Sequence, residues 1–128
     1  MNEPAKIRVF TVDDHPLLRE GIAAIIDNEP DMLIIGQASN GREAIQQFRE
    51  QRPHVTLMDL RLPDMSGVDT LIAIRTDVSE ARIIMLTTFE GNADAQRALE
   101  AGACAYLLKS MPPKGLVAAI RRAHAGQS

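Results

Sequence analysis

Tryptophan is absent from these 128 residues, tyrosine occurs once (Tyr106), and aromatic residues make up 3% of the chain. A core built from this sequence must therefore be aliphatic. Cysteine also occurs once, at Cys104. A lone thiol closes no internal disulfide, so the fold does not rest on a disulfide framework, and a reducing compartment fits. No apolar run approaches the roughly 20 residues that cross a bilayer as a helix. The opening Met1-Asn2-Glu3-Pro4 lacks the basic-then-apolar pattern of a secretory signal. The expectation is a soluble, cytoplasmic protein without a membrane partner. Excess positive charge is missing too: 14 Lys and Arg stand against 17 Asp and Glu, a formal net charge of −3. A domain that grips DNA alone presents a basic face to the phosphates, so direct nucleic-acid binding by this chain is not expected.

What is present is an ordinary globular balance, 45% hydrophobic and 24% charged, in a length that suits one domain. Short apolar runs alternate with amphipathic stretches. Residues 7–12, 32–35, 55–58, 83–86 and 104–108 read as strands. Between them, Leu17, Leu18, Ile22, Ile25 and Ile26 recur at helical spacing behind Pro16, a residue suited to a first helical turn. Asn40 followed by Glu43 reads as a helix cap, with Ala44, Ile45 and Phe48 as the apolar stripe. Pro53 ends that helix. Ser66 and Asp69 cap another, with Val68, Leu71 and Ile72 on its apolar face. Ala95, Ala98 and Leu99 lie on a fourth helix closed by Gly102. Pro112 and Pro113 open a fifth, carrying Leu116, Val117 and Ile120. Five strand-then-helix units predict an α/β fold: a single doubly wound (βα)5 domain whose parallel sheet is covered on both faces. The polar ending, His124 to Ser128, reads as the start of a linker.

The polar residues become informative once placed on this frame. Asp13 and Asp14 directly follow the first strand, Asp59 the third, Thr87 the fourth and Lys109 the fifth. In a parallel sheet these ends share one edge, where ligands of open α/β folds bind. Each residue alone has an ordinary explanation as a cap, a loop residue or an exposed charge. Together they bring three carboxylates, a hydroxyl and an ammonium to one place. Clustered carboxylates resist full ionisation unless a cation joins them. Mg²⁺ takes oxygen ligands, one or two carboxylates plus a phosphate oxygen. A carboxylate can itself be the nucleophile and form an aspartyl phosphate, with the metal and Lys109 facing the negative charge that develops.

Val12-Asp13-Asp14-His15-Pro16, Met58-Asp59-Leu60-Arg61-Leu62-Pro63, Met65-Ser66-Gly67, Leu86-Thr87-Thr88 and Tyr106-Leu107-Leu108-Lys109 together resemble the receiver domain of two-component response regulators. The resemblance runs over nearly the whole chain. His15-Pro16, Thr87-Thr88-Phe89 and Tyr106 to Lys109 are most similar to the NarL/FixJ subfamily, whose members carry a LuxR-type helix-turn-helix output domain. The resemblance implies a flavodoxin-like five-stranded parallel sheet in order 2-1-3-4-5 and a set of roles. Asp59 would be the phosphoacceptor, served by a sensor histidine kinase. Asp14 would bind Mg²⁺ directly, Asp13 through water, and Arg61 through its backbone carbonyl. Lys109 would pair with the phosphoryl group, and Thr87 with Tyr106 would form the switch. Residues 1–124 would be the receiver and 125–128 the start of a linker to a C-terminal DNA-binding domain. Activation would bring homodimerisation, with the first and fifth helices, or the fourth helix and fifth strand, as candidate faces. The chemistry would stop at Mg²⁺-dependent self-phosphorylation and slow self-dephosphorylation, not turnover as an enzyme.

The sequence departs from the family pattern at two places. Ser110 follows Lys109 where many receivers have Pro, and Thr88 is bulkier than the usual Ala or Gly. Arg61 and Phe89 flank the site, and the resemblance implies that such positions tune the dephosphorylation rate. Two further functions compete: a stand-alone receiver acting by partner binding or phosphorelay, and a Mg²⁺-dependent aspartyl-phosphate phosphatase. Such hydrolases place a second Asp two residues after the nucleophile, where this chain has Arg61. Flavin binding is disfavoured by the acidic loop after the first strand. For His15, a loop position near the acidic pocket is preferred over a ligand role. His54 and His124 read as a strand-start residue and a helix-end residue.

Overall fold

The computed structural model describes residues 5–88 and 92–126; Phe89 and the last two residues of the expected linker lie outside them. The chain runs β1 (Ile7–Val12), α1 (Pro16–Asp27), β2 (Met32–Ala38), α2 (Gly41–Gln51), β3 (Val55–Asp59), α3 (Gly67–Asp77), β4 (Ile83–Thr87), α4 (Asn92–Glu100), β5 (Ala105–Leu108) and α5 (Pro113–His124). The five strands of the sheet pair in parallel and their order is β2-β1-β3-β4-β5. The strand order reverses between β1 and β3, which sets the ends of those strands beside the crevice.

Alternation along each strand divides the core. Phe10, Val12, Met58 and Met85 pack with Ala44 and Phe48 of α2, Val68, Leu71 and Ile74 of α3 and Ala98 of α4. Val9, Val55, Leu57 and Ile84 point the other way, onto Ile22 and Ile26 of α1 and Leu116, Val117 and Ile120 of α5. β3 and β4 are buried at every residue, as expected of central strands whose sequences are nearly continuous apolar runs.

The expected helix starts are formed. Asn40 Oδ1 accepts the Glu43 N–H at 2.9 Å, while Glu43 Oε1 reaches back to the Ser39 N–H at 3.2 Å. Ser66 Oγ accepts the Asp69 N–H at 3.0 Å. Pro16 and Pro113 each occupy a first helical turn. The apolar stripes are narrower than periodicity suggests: Leu17 is 84% exposed, and Ile72 and Leu99 also face outward. β5 begins at Ala105, one residue after the expected Cys104. The peptide between Lys109 and Ser110 is trans.

At the opposite edge of the sheet from the strand ends that carry Asp13 and Asp59, His54 extends the β1–β3 ladder. Its backbone N–H donates to the Arg8 carbonyl, and its Nδ1 accepts the Arg8 N–H, both at 2.9 Å. The ring stands 4.9 Å from that of His124, and Arg82 Nη1 donates to the His124 carbonyl at 2.8 Å. Nδ1 can accept only when it carries no proton. Burial, then His124, Arg8 and Arg82, hold the His54 pKa below its usual value of 6.5. The unfolded chain thus takes up a proton near 6.5 while the folded one resists until lower pH, so stability is full above 6.5 and falls as pH drops below it. Asn keeps an acceptor in place without titrating. Melting temperatures measured on both sides of this range should show a smaller acid-side loss in His54→Asn than in the wild type; parallel losses would contradict the assignment.

Candidate functional site

Every element of the site is placed by the end of a strand. β1 stops at Val12 and delivers Asp13 into the crevice; β3 ends on Asp59; β4 ends on Thr87; Lys109 follows β5. The Lys109 N–H donates to the Thr87 carbonyl at 2.7 Å, carrying the β4–β5 ladder one step further. Its side chain then turns into the pocket. Lys109 Nζ lies 2.9 Å from Asp13 Oδ2 and 3.0 Å from Asp59 Oδ2, with both carboxylates buried and the lysine side chain mostly so. Asp14 stands at the solvent side of the cluster. Thr87 is buried and Tyr106 half-buried, both within the β4–β5 pair, where Met85 faces Tyr106 and Thr87 faces Leu108.

Two buried carboxylates beside one ammonium cannot share it equally. Burial alone raises Asp13, but hydrogen bonds from Lys109 and from His15 outweigh it and hold the carboxyl below its usual range. His15 donates twice to the same oxygen: its backbone N–H reaches Asp13 Oδ1 at 2.7 Å and its Nδ1 lies at 2.9 Å. Asp59 has one backbone donor, the Arg61 N–H at 3.3 Å from Oδ1. Burial pushes its carboxyl above the usual range, the nearby Asp13 charge adds to this, and Lys109 pulls only partly against it. Burial disfavours the Lys109 ammonium, yet the two carboxylates hold its pKa above normal. The pair is therefore split, with Asp13 the firm anion and Asp59 the one that most needs a further positive charge.

The donor set suits a hard cation. One ligand atom from each of Asp13, Asp14, His15 and Asp59 falls within 4.8 Å of the others. Carboxylate oxygens with open solvent on one side match the preference of Mg²⁺ for oxygen and for keeping several waters. His15 stands beside these carboxylates in the loop after β1: Nδ1 is 3.2 Å from Asp14 Oδ1 and 3.9 Å from Asp59 Oδ2. Arg61 lies in the loop that leads from Asp59 to α3, in an antiparallel bridge with Ser66. Sequence reasoning missed Asp64 in that loop, whose carboxylate takes the Gly41 and Arg42 N–H groups at the start of α2. A polar residue directly after Pro63 was the available signal, but its partner lies too far along the chain for any local pattern.

A doubly wound domain with an acidic, lysine-backed pocket at the carboxyl edge of a 2-1-3-4-5 sheet is the class that receives the signal in two-component systems. The chain belongs to the response regulator receiver domain family, whose model matches residues 9–121. It is 36% identical over 122 residues to the response regulator protein VraR of Staphylococcus aureus, covering 95% of this chain and 58% of that protein, so it spans little more than half of that relative's length. Among solved structures, a LuxR-family two-component response regulator from Aurantimonas sp. SI85-9A1 is 38% identical with a TM-score of 0.92, over 96% of this chain and 88% of that one. The signal receiver domain of the putative response regulator NarL from Mycobacterium tuberculosis is 31% identical with a TM-score of 0.93, over 97% of this chain and all of the other. The relatives agree with the NarL/FixJ resemblance, and the sheet order is the expected one. Phosphorylation and Mg²⁺ binding are general to this family. Among the described residues, no helix is long and apolar enough to cross a membrane.

Proposed function

We propose that this domain accepts a phosphoryl group on Asp59 from a sensor histidine kinase and relays the event through Thr87 and Tyr106. The observation that carries the reading is Lys109 Nζ held between Asp13 and Asp59 at 2.9 and 3.0 Å. Asp14 would bind Mg²⁺ directly with Asp59, Asp13 would act through water, and the Arg61 carbonyl would complete the set. When bound, Mg²⁺ supplies positive charge that favours the ionised Asp59 and offsets charge on the transferred group.

An Asp59 carboxylate oxygen attacks phosphorus. The new P–O bond forms as the P–N bond to the donor imidazole breaks, and the released nitrogen keeps the electron pair. Lys109 moves its hydrogen bonding from the carboxylate to a phosphoryl oxygen. Thr87, one strand away, donates to another, and Tyr106 on the adjoining strand takes up the space Thr87 leaves. The chemistry ends there, apart from slow self-hydrolysis. Residues 1–124 form the receiver and 125–128 begin a linker. The output is a C-terminal helix-turn-helix domain, in the cytoplasm, with homodimerisation on activation. The LuxR-family relatives support the helix-turn-helix output.

Intact-mass measurement after incubation with acetyl phosphate tests the site. The wild type should gain one phosphoryl group with Mg²⁺ and none with a chelator, and Asp59→Asn should gain none. Tyr106 is the sole tyrosine, so its ring resonances in the same samples report whether the switch follows. An adduct that persists in Asp59→Asn, or forms without a divalent cation, would overturn the assignment.

A further inference from the structure

The loop between β3 and α3, residues 60–66, is closed at its base. Arg61 and Ser66 form a bridge, and the Gly67 N–H donates to the Leu60 carbonyl at 2.8 Å. Its tip is fastened elsewhere. Asp64 Oδ1 accepts the Gly41 N–H at 2.7 Å and Oδ2 the Arg42 N–H at 3.0 Å, across 23 and 22 positions of chain. These N–H groups open α2, where no intrahelical acceptor exists for them. The local cap, Asn40, serves only the Glu43 N–H through its Oδ1. Capping of α2 is thus divided between a neighbour in sequence and a carboxylate from the phosphoacceptor loop. The approach is close: a Cβ on Gly41 would lie 2.3 Å from Met65 Cγ and 2.7 Å from Thr70 Oγ1. Start of helix, tip of loop and face of α3 interlock.

We propose that Asp64 is a positioning residue for the phosphoryl-transfer site. By pinning the tip of the 60–66 loop to the N-terminus of α2, it fixes the Arg61 carbonyl and so sets the affinity of the pocket for its dication. This rests on the reading of the acidic pocket as a Mg²⁺ site. The logic is that of an outer partner which orients a ligand: loss of such partners typically costs about 10–100-fold in metal affinity. Asp64 itself faces solvent and touches none of the reacting groups.

The test is calorimetric titration of this chain with MgCl₂, with thermal melting run in parallel, on the wild type, Asp64→Ala, Asp64→Asn and Asn40→Ala. Asp64→Ala should bind Mg²⁺ about 10-fold more weakly, and Asp64→Asn, which keeps one accepting oxygen, should recover part of that loss. Asn40→Ala removes a cap from the same helix end without touching the loop. It should lower the melting temperature while leaving Mg²⁺ affinity at the wild-type value. Wild-type affinity in Asp64→Ala would overturn the proposal, as would equal weakening in Asn40→Ala. Absence of Mg²⁺ binding in the wild type would overturn the reading of the pocket itself, and this inference with it.

Discussion

Lys109→Met is expected to cost the metal-free domain about 3 kcal/mol, the low end of what breaking a buried ion pair costs, and to regain a large share of that when Mg²⁺ is added. Methionine matches the length of the lysine stem and removes the ammonium with its N–H donors. Asp13 and Asp59 then face each other in a buried crevice without the ammonium that sits within 3.0 Å of both. Asp59, already pushed upward by burial, takes a proton and so limits the loss. A dication re-ionises it and does for both carboxylates what Nζ did. The added stabilisation by Mg²⁺ should therefore be larger in Lys109→Met than in the wild type. Thermal melts with and without Mg²⁺ read this directly. Equal Mg²⁺ effects in the two proteins would show that ammonium and metal do not act on the same carboxylates.

Gly67→Ala should be nearly as damaging, for a steric reason. A Cβ at Gly67, the first residue of α3, would stand 2.1 Å from the backbone oxygen of Asp59 and 2.9 Å from Met85 Cε. The methionine end can give way; the backbone of the last β3 residue cannot without moving the carboxylate it carries. Overpacking of this kind costs about 1–3 kcal/mol, occasionally more. The displacement falls on the phosphoacceptor, so adduct formation should drop further than the melting temperature alone accounts for. A variant that melts low but is phosphorylated at the wild-type rate in the cold would show that α3 supports the fold without positioning Asp59.

The element order, the capped helix starts at Asn40 and Ser66 and the convergence of Asp13, Asp59, Thr87 and Lys109 were legible because each rests on a local regularity. An apolar run, a cap residue at fixed spacing and a polar residue just past a strand are written in adjacent positions. Burial was read less well. Leu17, Ile72 and Leu99 obey helical spacing yet face outward, since periodicity defines a stripe but not its width. What the sequence could not display were contacts set by tertiary placement. Asp64 finds its partners 22 and 23 positions away. His54 serves Arg8 from 46 positions away. The split between Asp13 and Asp59 is equally invisible in sequence, where both are an Asp after an aliphatic strand; His15 gives Asp13 two donors where Asp59 has the Arg61 N–H.

The Arg82 guanidinium, which holds the His124 carbonyl at 2.8 Å, gives the domain a mechanical property. Arg82 directly precedes β4, a strand buried along its whole length that ends on Thr87. The tail of α5 is thereby hooked to the foot of the same rod whose head enters the acidic pocket. The end of α5 and the acidic pocket are thus tied to opposite ends of one buried strut.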